Sequence, residues 1–260
     1  MQIDQFGALQ ANDCNRKDYS DINVLFSRGG LPLKSVLHYF SIREILLWLV
    51  SVLAVVISFF IFDGESYLTL CASLIGVTSL IFCAKGNFAG LALMIVFSLL
   101  YGYISYTYSY FGEMVTYLGM TMPMSVVALV SWIRNPYDSN KSEVRIGSMS
   151  FNDTLIMWLL TVIVTVAFYF ILGFFNTSNL IPSTISVTTS FLAVYLSYKR
   201  SPFFALAYAF NDVILILLWS MASFDDSRYI SVVVCFVAFL FNDIYGFVNW
   251  RRMKRRQCDE

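Results

Sequence analysis

Eight stretches of predominantly apolar residues follow one another along the chain, at roughly 45–62, 67–84, 90–109, 114–133, 154–175, 180–198, 202–222 and 229–250. About twenty residues of α-helix rise about 30 Å, the thickness of bilayer hydrocarbon, and satisfy every backbone N–H and C=O internally. Several gaps between these stretches are only a few residues long, which forces adjacent antiparallel neighbours. Composition agrees. Charged residues make up 13% of the 260 and hydrophobic ones 58%, whereas a soluble domain carries about 25% charged residues to cover its surface. Lys+Arg and Asp+Glu both total 17, so no excess charge points to nucleic acid. The first long run starts near Ile45, too deep for a cleaved signal peptide. The sequence predicts an all-α integral membrane protein with about eight transmembrane helices, called one to eight below.

The basic residues test that count. Arg16, Lys17, Arg28, Lys34 and Arg43 precede helix one. Skipping every other gap, the same side collects Lys85, then Arg134, Lys141 and Arg145, then Lys199 and Arg200, then Arg251, Arg252, Lys254, Arg255 and Arg256. Only Arg228 falls opposite. One helix more or fewer would scramble this alternation, and the positive-inside rule then puts both termini in the cytoplasm. Ahead of helix one, Leu33, Val36, Leu37 and Phe40 recur at helical spacing behind Pro32, predicting a short interfacial helix that carries the one histidine, His38. The basic stretch at the carboxyl end reads as an anchor at anionic lipid.

The chain repeats itself. Ser131-Trp132-Ile133-Arg134-Asn135 closes helix four and Asn249-Trp250-Arg251-Arg252 closes helix eight. Lys85 lies 47 residues before Trp132, and Lys199 lies 51 before Trp250. Each lysine follows a helix with a small polar run, Thr78-Ser79 or Thr188-Thr189-Ser190, and precedes a short turn. Helices two to four therefore echo helices six to eight. This predicts a SWEET-like 3+1+3 parallel repeat preceded by one extra helix. The corresponding parts are 1–43, an amino-terminal tail with the interfacial helix; 44–66, the extra helix; 67–134, the first three-helix bundle; 135–179, a cytoplasmic loop and linker helix; 180–250, the second bundle; and 251–260, a basic tail.

Ionisable groups inside a span are costly and mark functional sites by default. Most acids lie at helix edges, but Asp212 follows Asn211 mid-helix seven and Asp243 follows Asn242 inside helix eight. Asn242, Tyr245, Gly246 and Asn249 share one face of helix eight, and Tyr208, Asn211, Leu215 and Trp219 one stripe of helix seven. Amides that donate and accept, together with aromatic rings, suit a solute with a flat ring and hydroxyls; equally, they could tie helices together. Thr188 in helix six and Tyr101, deepest of the tyrosines of helix three, are further candidates. Pro123, mid-helix four, predicts a kink.

Other chemistries lack their residues. No GxSxG, HExxH or phosphate-cradling glycine loop is present, so neither a catalytic site, a metal site nor a cofactor is expected. The five cysteines form no CxxC and read as small hydrophobes. Paired aspartates keep an intramembrane aspartyl enzyme open as a distant alternative, without the Gly-x-Gly-Asp setting that chemistry expects.

The stretch Asn242-Asp243-Ile244-Tyr245-Gly246-Phe247-Val248-Asn249-Trp250-Arg251-Arg252, with Trp132-Ile133-Arg134-Asn135-Pro136 and the hairpin order, resembles the PnuC family of nicotinamide riboside transporters over roughly residues 67–252. The resemblance implies facilitated diffusion (uniport) of nicotinamide riboside across a bacterial inner membrane, phosphorylation by a cytoplasmic kinase trapping the cargo, and a homotrimer with one path per protomer. One departure is visible: where many relatives carry Trp-x-x-Trp early in helix seven, this chain reads Pro202-Phe203-Phe204-Ala205-Leu206-Ala207-Tyr208, so Phe204 and Tyr208 become the stacking candidates. Related branches are associated with thiamine and riboflavin. Asp212 and Asp243 as counter-charges, and the attraction of aromatic faces for cations, favour the cationic riboside or thiamine over neutral riboflavin.

Overall fold

The computed structural model describes residues 39–107, 111–138, 140–177 and 179–259. The interfacial helix expected around Leu33–Phe40, with His38, lies outside the described residues but for its last two positions. From Arg43 onward the chain is one compact unit. Its eight long helices are α1 (Ile42–Asp63), α2 (Tyr67–Ala84), α3 (Phe88–Thr107), α4 (Phe111–Ile133), α5 (Phe151–Phe174), α6 (Leu180–Tyr198), α7 (Phe203–Ala222) and α8 (Tyr229–Asp259). All eight are long and apolar enough to cross a membrane, and they match the runs read from the sequence to within a few residues.

Three features were not legible as such. The basic stretch after Trp250 is not a separate tail but the last turns of α8, which runs for 31 residues. The loop after α4 folds into a small hairpin, β1 (Pro136–Tyr137) against β2 (Asn140–Val144). The irregularity in α4 falls before Pro123 rather than at it. Tyr117–Thr121 form a π-helical turn in which the Met122 N–H bonds the Tyr117 carbonyl, and α-geometry resumes with Pro123 in its first turn. Proline has no N–H to give the carbonyl four residues back, so the helix widens where that bond is lost.

The repeat in sequence is a repeat in contacts. Trp132 at the end of α4 donates its indole N–H to the Ser197 carbonyl of α6 at 2.9 Å, and Trp250 in α8 donates to the Cys83 carbonyl of α2 at 2.8 Å. Both acceptors lie two residues before the lysine that ends their helix. Each helix then turns through a left-handed residue, Gly86 (φ 66°) in one half and Arg200 (φ 57°) in the other, and the chain after β1 ties down both turns: Val144 N–H bonds the Gly86 carbonyl and Gly147 N–H that of Arg200. Lys85 pairs with Glu44 at the start of α1 (3.1 Å), and Lys199 with Asp153 at the start of α5 (2.7 Å). The lysine–carboxylate pair is thus matched in the two halves, but the packing of α1 and α5 is not: α5 lies along α6 of its own half, whereas α1 is tied to α8 of the other half through Ser51 and Glu44. Helices α1 and α5 are also the least buried of the eight, and turn outward residues such as Leu49 and Leu53, or Leu155 and Leu159. On that face lipid replaces protein.

Trp132 and Trp250 are 2% and 0% exposed, with rings 5.2 Å apart. Each carbonyl also accepts a turn N–H, from Gly86 to Cys83 and from Arg200 to Ser197, so losing the indole donor removes one net hydrogen bond, about 0.5–1.5 kcal/mol. Trp132→Phe and Trp250→Phe are each expected to destabilise the protein by that order, read as a lowered thermal unfolding midpoint in detergent.

Candidate functional site

Two apolar clusters fill the interior. One gathers Cys83, Trp132, Tyr195, Phe204, Trp250 and Met253 towards the side that carries the basic residues. The other gathers Phe97, Tyr101, Tyr117, Leu215, Trp219 and Phe239 towards the opposite, acidic side. Along α7 the chain passes from the first cluster at Phe204 and Ala205 to the second at Leu215, and along α8 from the second at Phe239 to the first at Trp250. Asn211-Asp212 and Asn242-Asp243 lie in those two intervals, so the four groups form a polar layer between two apolar plugs. Each pair sits about mid-way along its span: at about 1.5 Å per residue, roughly 10 Å separates Asn211 from Phe204, Asp212 from Trp219 and Asp243 from Trp250, and about 5 Å separates Asn242 from Phe239.

All four are buried, Asn242 most completely at 1% exposed. Asn211 turns to α6, where its Oδ1 accepts from Ser186 Oγ at 3.1 Å and Thr189 Oγ1 at 2.9 Å. Asn242 turns to α1, donating Nδ2–H to Ser51 Oγ at 2.9 Å and to the Ala238 carbonyl at 2.8 Å. The carboxyl of Asp212 meets that of Asp243 across the α7–α8 contact, within hydrogen-bonding reach. Two acceptors remain buried with no hydrogen-bond partner among the described residues, Asp212 Oδ2 and Asn242 Oδ1. Buried polar atoms are nearly always satisfied, and an exception calls for water or a ligand to complete it.

The other candidates fall into three groups. Tyr208 belongs with the layer, within electrostatic reach of both Asp212 and Asp243. Trp219 and Tyr101 lie further towards the acidic side. Together they line a small cavity of about 40 Å³, and Trp219 also floors one of about 310 Å³ that Glu113, Phe175, Ser183, Asp225 and Tyr229 help to enclose. Phe204 lies towards the basic side, its ring 4.7 Å from Trp250 and 6.0 Å from Trp132, where it packs into the plug. Tyr245 and Thr188 point away from the layer: the Tyr245 hydroxyl donates to Glu44 at 2.9 Å, and Thr188 hydrogen-bonds Thr165 of α5 at 2.9 Å. Gly246 does allow close approach, with the methyls of Ala84 and Ala205 lying 3.6 Å from where its own Cβ would be.

Sequence reading passed over Tyr117. It is 8% exposed, its ring lies 4.5 Å from Tyr101, and Asp212, Tyr208 and Glu113 lie within its electrostatic reach. It stands on the π-turn, a geometry often found at functional sites; the signal for it in the sequence is Pro123, six residues on. Helix one was passed over too. Glu44 is 3% exposed and accepts from both Lys85 and Tyr245, so α1 fastens α2 and α8 at the basic side. In the other half, the Asp153 carboxylate hydrogen-bonded to Lys199 raises the lysine's pKa above its ordinary value.

Eight helices long and apolar enough to cross a membrane, enclosing a buried polar layer between two apolar clusters, with cavities beyond the cluster on the acidic side, are the build of a membrane transporter for a small polar solute. A family model described as nicotinamide mononucleotide transporter matches residues 66–252, and the chain belongs to that family. The nicotinamide riboside transporter PnuC of Neisseria mucosa is 24% identical over 221 residues, 82% of each chain. The PnuC of Haemophilus influenzae is 21% identical over 213 residues, 80% of this chain and 90% of that one. The crystal structure of the vitamin B3 transporter PnuC superposes with a TM-score of 0.72 at 22% identity, covering 84% of this chain and 94% of its own. The Asp212 and Asp243 carboxyls interact with each other; the relatives are named as transporters.

Losing Lys85 strands Glu44 in a buried site. Removing one partner of such a pair costs about 3–5 kcal/mol, whereas removing both is far milder. Lys85→Met is expected to lower the unfolding midpoint steeply and Lys85→Met with Glu44→Gln to recover most of the loss, measured by thermal unfolding of the purified protein.

Proposed function

We propose that the chain carries nicotinamide riboside across the membrane by facilitated diffusion, without a coupling ion. The riboside is a permanently cationic pyridinium joined to a polyhydroxy sugar. Crossing hydrocarbon, it needs a counter-charge, aromatic faces and hydrogen-bonding partners in one place. The observation that carries the reading is the polar layer: the Asp212–Asp243 pair, whose two carboxyls share a proton when they bond each other, supplies one negative charge, Tyr208 and Tyr117 supply rings whose faces attract a cation by about 0.5–2 kcal/mol each, and Asn211 with Asn242 supplies amides beside the two acceptors left without partners. Trp219 and Tyr101 line the approach from the acidic side, and Phe204 closes the exit on the basic side. Tyr245 and Thr188 serve from one layer out, holding α8 to α1 and α6 to α5.

Several further properties belong to the same proposal on the strength of family resemblance and residue pattern: a SWEET-like arrangement of the two halves, a homotrimer, a bacterial inner membrane with both termini cytoplasmic, and capture of the riboside inside by a phosphorylating kinase. Phosphorylation adds charge that the path does not accommodate, so net uptake follows without an ion gradient.

In proteoliposomes, downhill uptake of labelled nicotinamide riboside is expected to persist when proton and sodium gradients are collapsed. Asp212→Asn and Asp243→Asn are each expected to slow it about tenfold, equivalent to ~1.4 kcal/mol. A strict ion requirement would end the uniport reading, and unchanged flux in both variants would remove the site. Thiamine in excess is expected to leave riboside uptake intact; uptake of labelled thiamine in place of the riboside would turn the assignment to the other cationic vitamin.

A further inference from the structure

Where α7 begins and α8 leaves the apolar region, the two helices bound a groove of about 460 Å³ lined by Pro202, Phe203, Arg251, Lys254, Arg255 and Cys258. No carboxylate lines it. Arg256, one position further on the same helix, is paired with Glu143, as Lys85 is with Glu44 and Lys199 with Asp153; among the described residues Arg251, Lys254 and Arg255 have no such carboxylate partner. They stand at i, i+3 and i+4, on one face of the helix. The Arg251 guanidinium lies over the rings of Phe203 and Phe247, 5.9 and 5.8 Å from their centroids, which fixes its position at the lip of the groove.

What lies below this cationic lip is apolar and faces lipid. On α8, Phe241, Ile244 and Val248 continue the Arg251–Arg255 face towards the bilayer centre, and are 58%, 47% and 42% exposed. On α7, Phe203, Phe210 and Leu217, seven residues apart, form a parallel exposed stripe. At about 1.5 Å per residue the 31 residues of α8 span about 46 Å, against about 30 Å of hydrocarbon, so the three cations stand at headgroup level while the two stripes stand at acyl level. A soluble anion would use the lip alone. The continuity of charge with an exposed apolar furrow between two helices matches one kind of molecule throughout its length, a phospholipid with net negative charge.

We propose that this groove is a binding site for one anionic phospholipid, its phosphate held by Arg251, Lys254 and Arg255 and an acyl chain lying between the outward stripes of α7 and α8. The site stands apart from the polar layer and does not depend on the cargo. Purified protein in detergent is titrated with phosphatidylglycerol, with phosphatidylcholine and with inorganic phosphate, and bound lipid is counted by native mass spectrometry alongside the thermal unfolding midpoint. One phosphatidylglycerol per chain is expected to bind with a raised midpoint, at least tenfold more tightly than phosphatidylcholine. The triple variant Arg251→Gln, Lys254→Gln, Arg255→Gln is expected to lose at least tenfold in affinity, while a triple variant of equal charge loss at exposed positions elsewhere (Arg134→Gln, Lys141→Gln, Arg252→Gln) keeps it. Equal loss in the two triple variants, no preference between the two lipids in the unaltered protein, or the same midpoint shift from inorganic phosphate would each overturn the proposal.

Discussion

Every polar group placed in hydrocarbon must find its partner within the protein, and this requirement organises the molecule. Helices meet it for the backbone. The side chains of the middle layer meet it through one another: Asn211 through Ser186 and Thr189 of α6, Asn242 through Ser51 of α1, and Asp212 through Asp243. Because each bond joins a different pair of helices, the layer does more than fill space. It fixes how α7 and α8 face each other and which neighbours they keep. Within the layer, satisfaction is incomplete at Asp212 Oδ2 and Asn242 Oδ1.

The two ends of the layer are built differently. Towards the basic side, paired indoles donate across the halves to carbonyls at helix ends, Phe204 packs edge-on against Trp250, and the segment after β1 ties both left-handed turns together. Towards the acidic side, Trp219 and Tyr101 border cavities with carboxylates on their walls. There the Asp226 carboxyl, hydrogen-bonded by Arg228, is held below its ordinary range. The π-turn carrying Tyr117 lies where α4 crosses between these regimes, at a point in the helix where one backbone bond is already missing.

The same contacts appear in both halves, but only in part. Lysine with carboxylate, indole with carbonyl, and left-handed turn recur in both halves. The buried carboxyls do not: by the registers of the matched lysines and tryptophans, Asp212 and Asp243 correspond to Ser98 and Ser125, both fully buried. Scaffold contacts are shared between the halves, while the charge that marks the candidate site belongs to one of them.

Hydrophobic length and the alternation of basic residues determined the eight spans, because crossing a bilayer is a condition on composition that each helix meets alone. The expense of charge in hydrocarbon singled out Asp212 and Asp243 for the same reason. What the amides and rings touch was a different matter. Periodicity gives the face of a helix on which Asn242 or Tyr245 lies, but a face has no partner until another helix is set against it; that partner is α1 for both, through Ser51 and Glu44, and nearly two hundred residues separate them in the chain. Tyr117 shows the same limit, since a residue on an apparently ordinary stretch of α4 meets Phe97 and Tyr101 of α3, and comes within electrostatic reach of Asp212, only in the folded molecule. Local physics is additive along the chain and can be read from it, whereas pairing between helices depends on their mutual packing, which only the folded molecule decides.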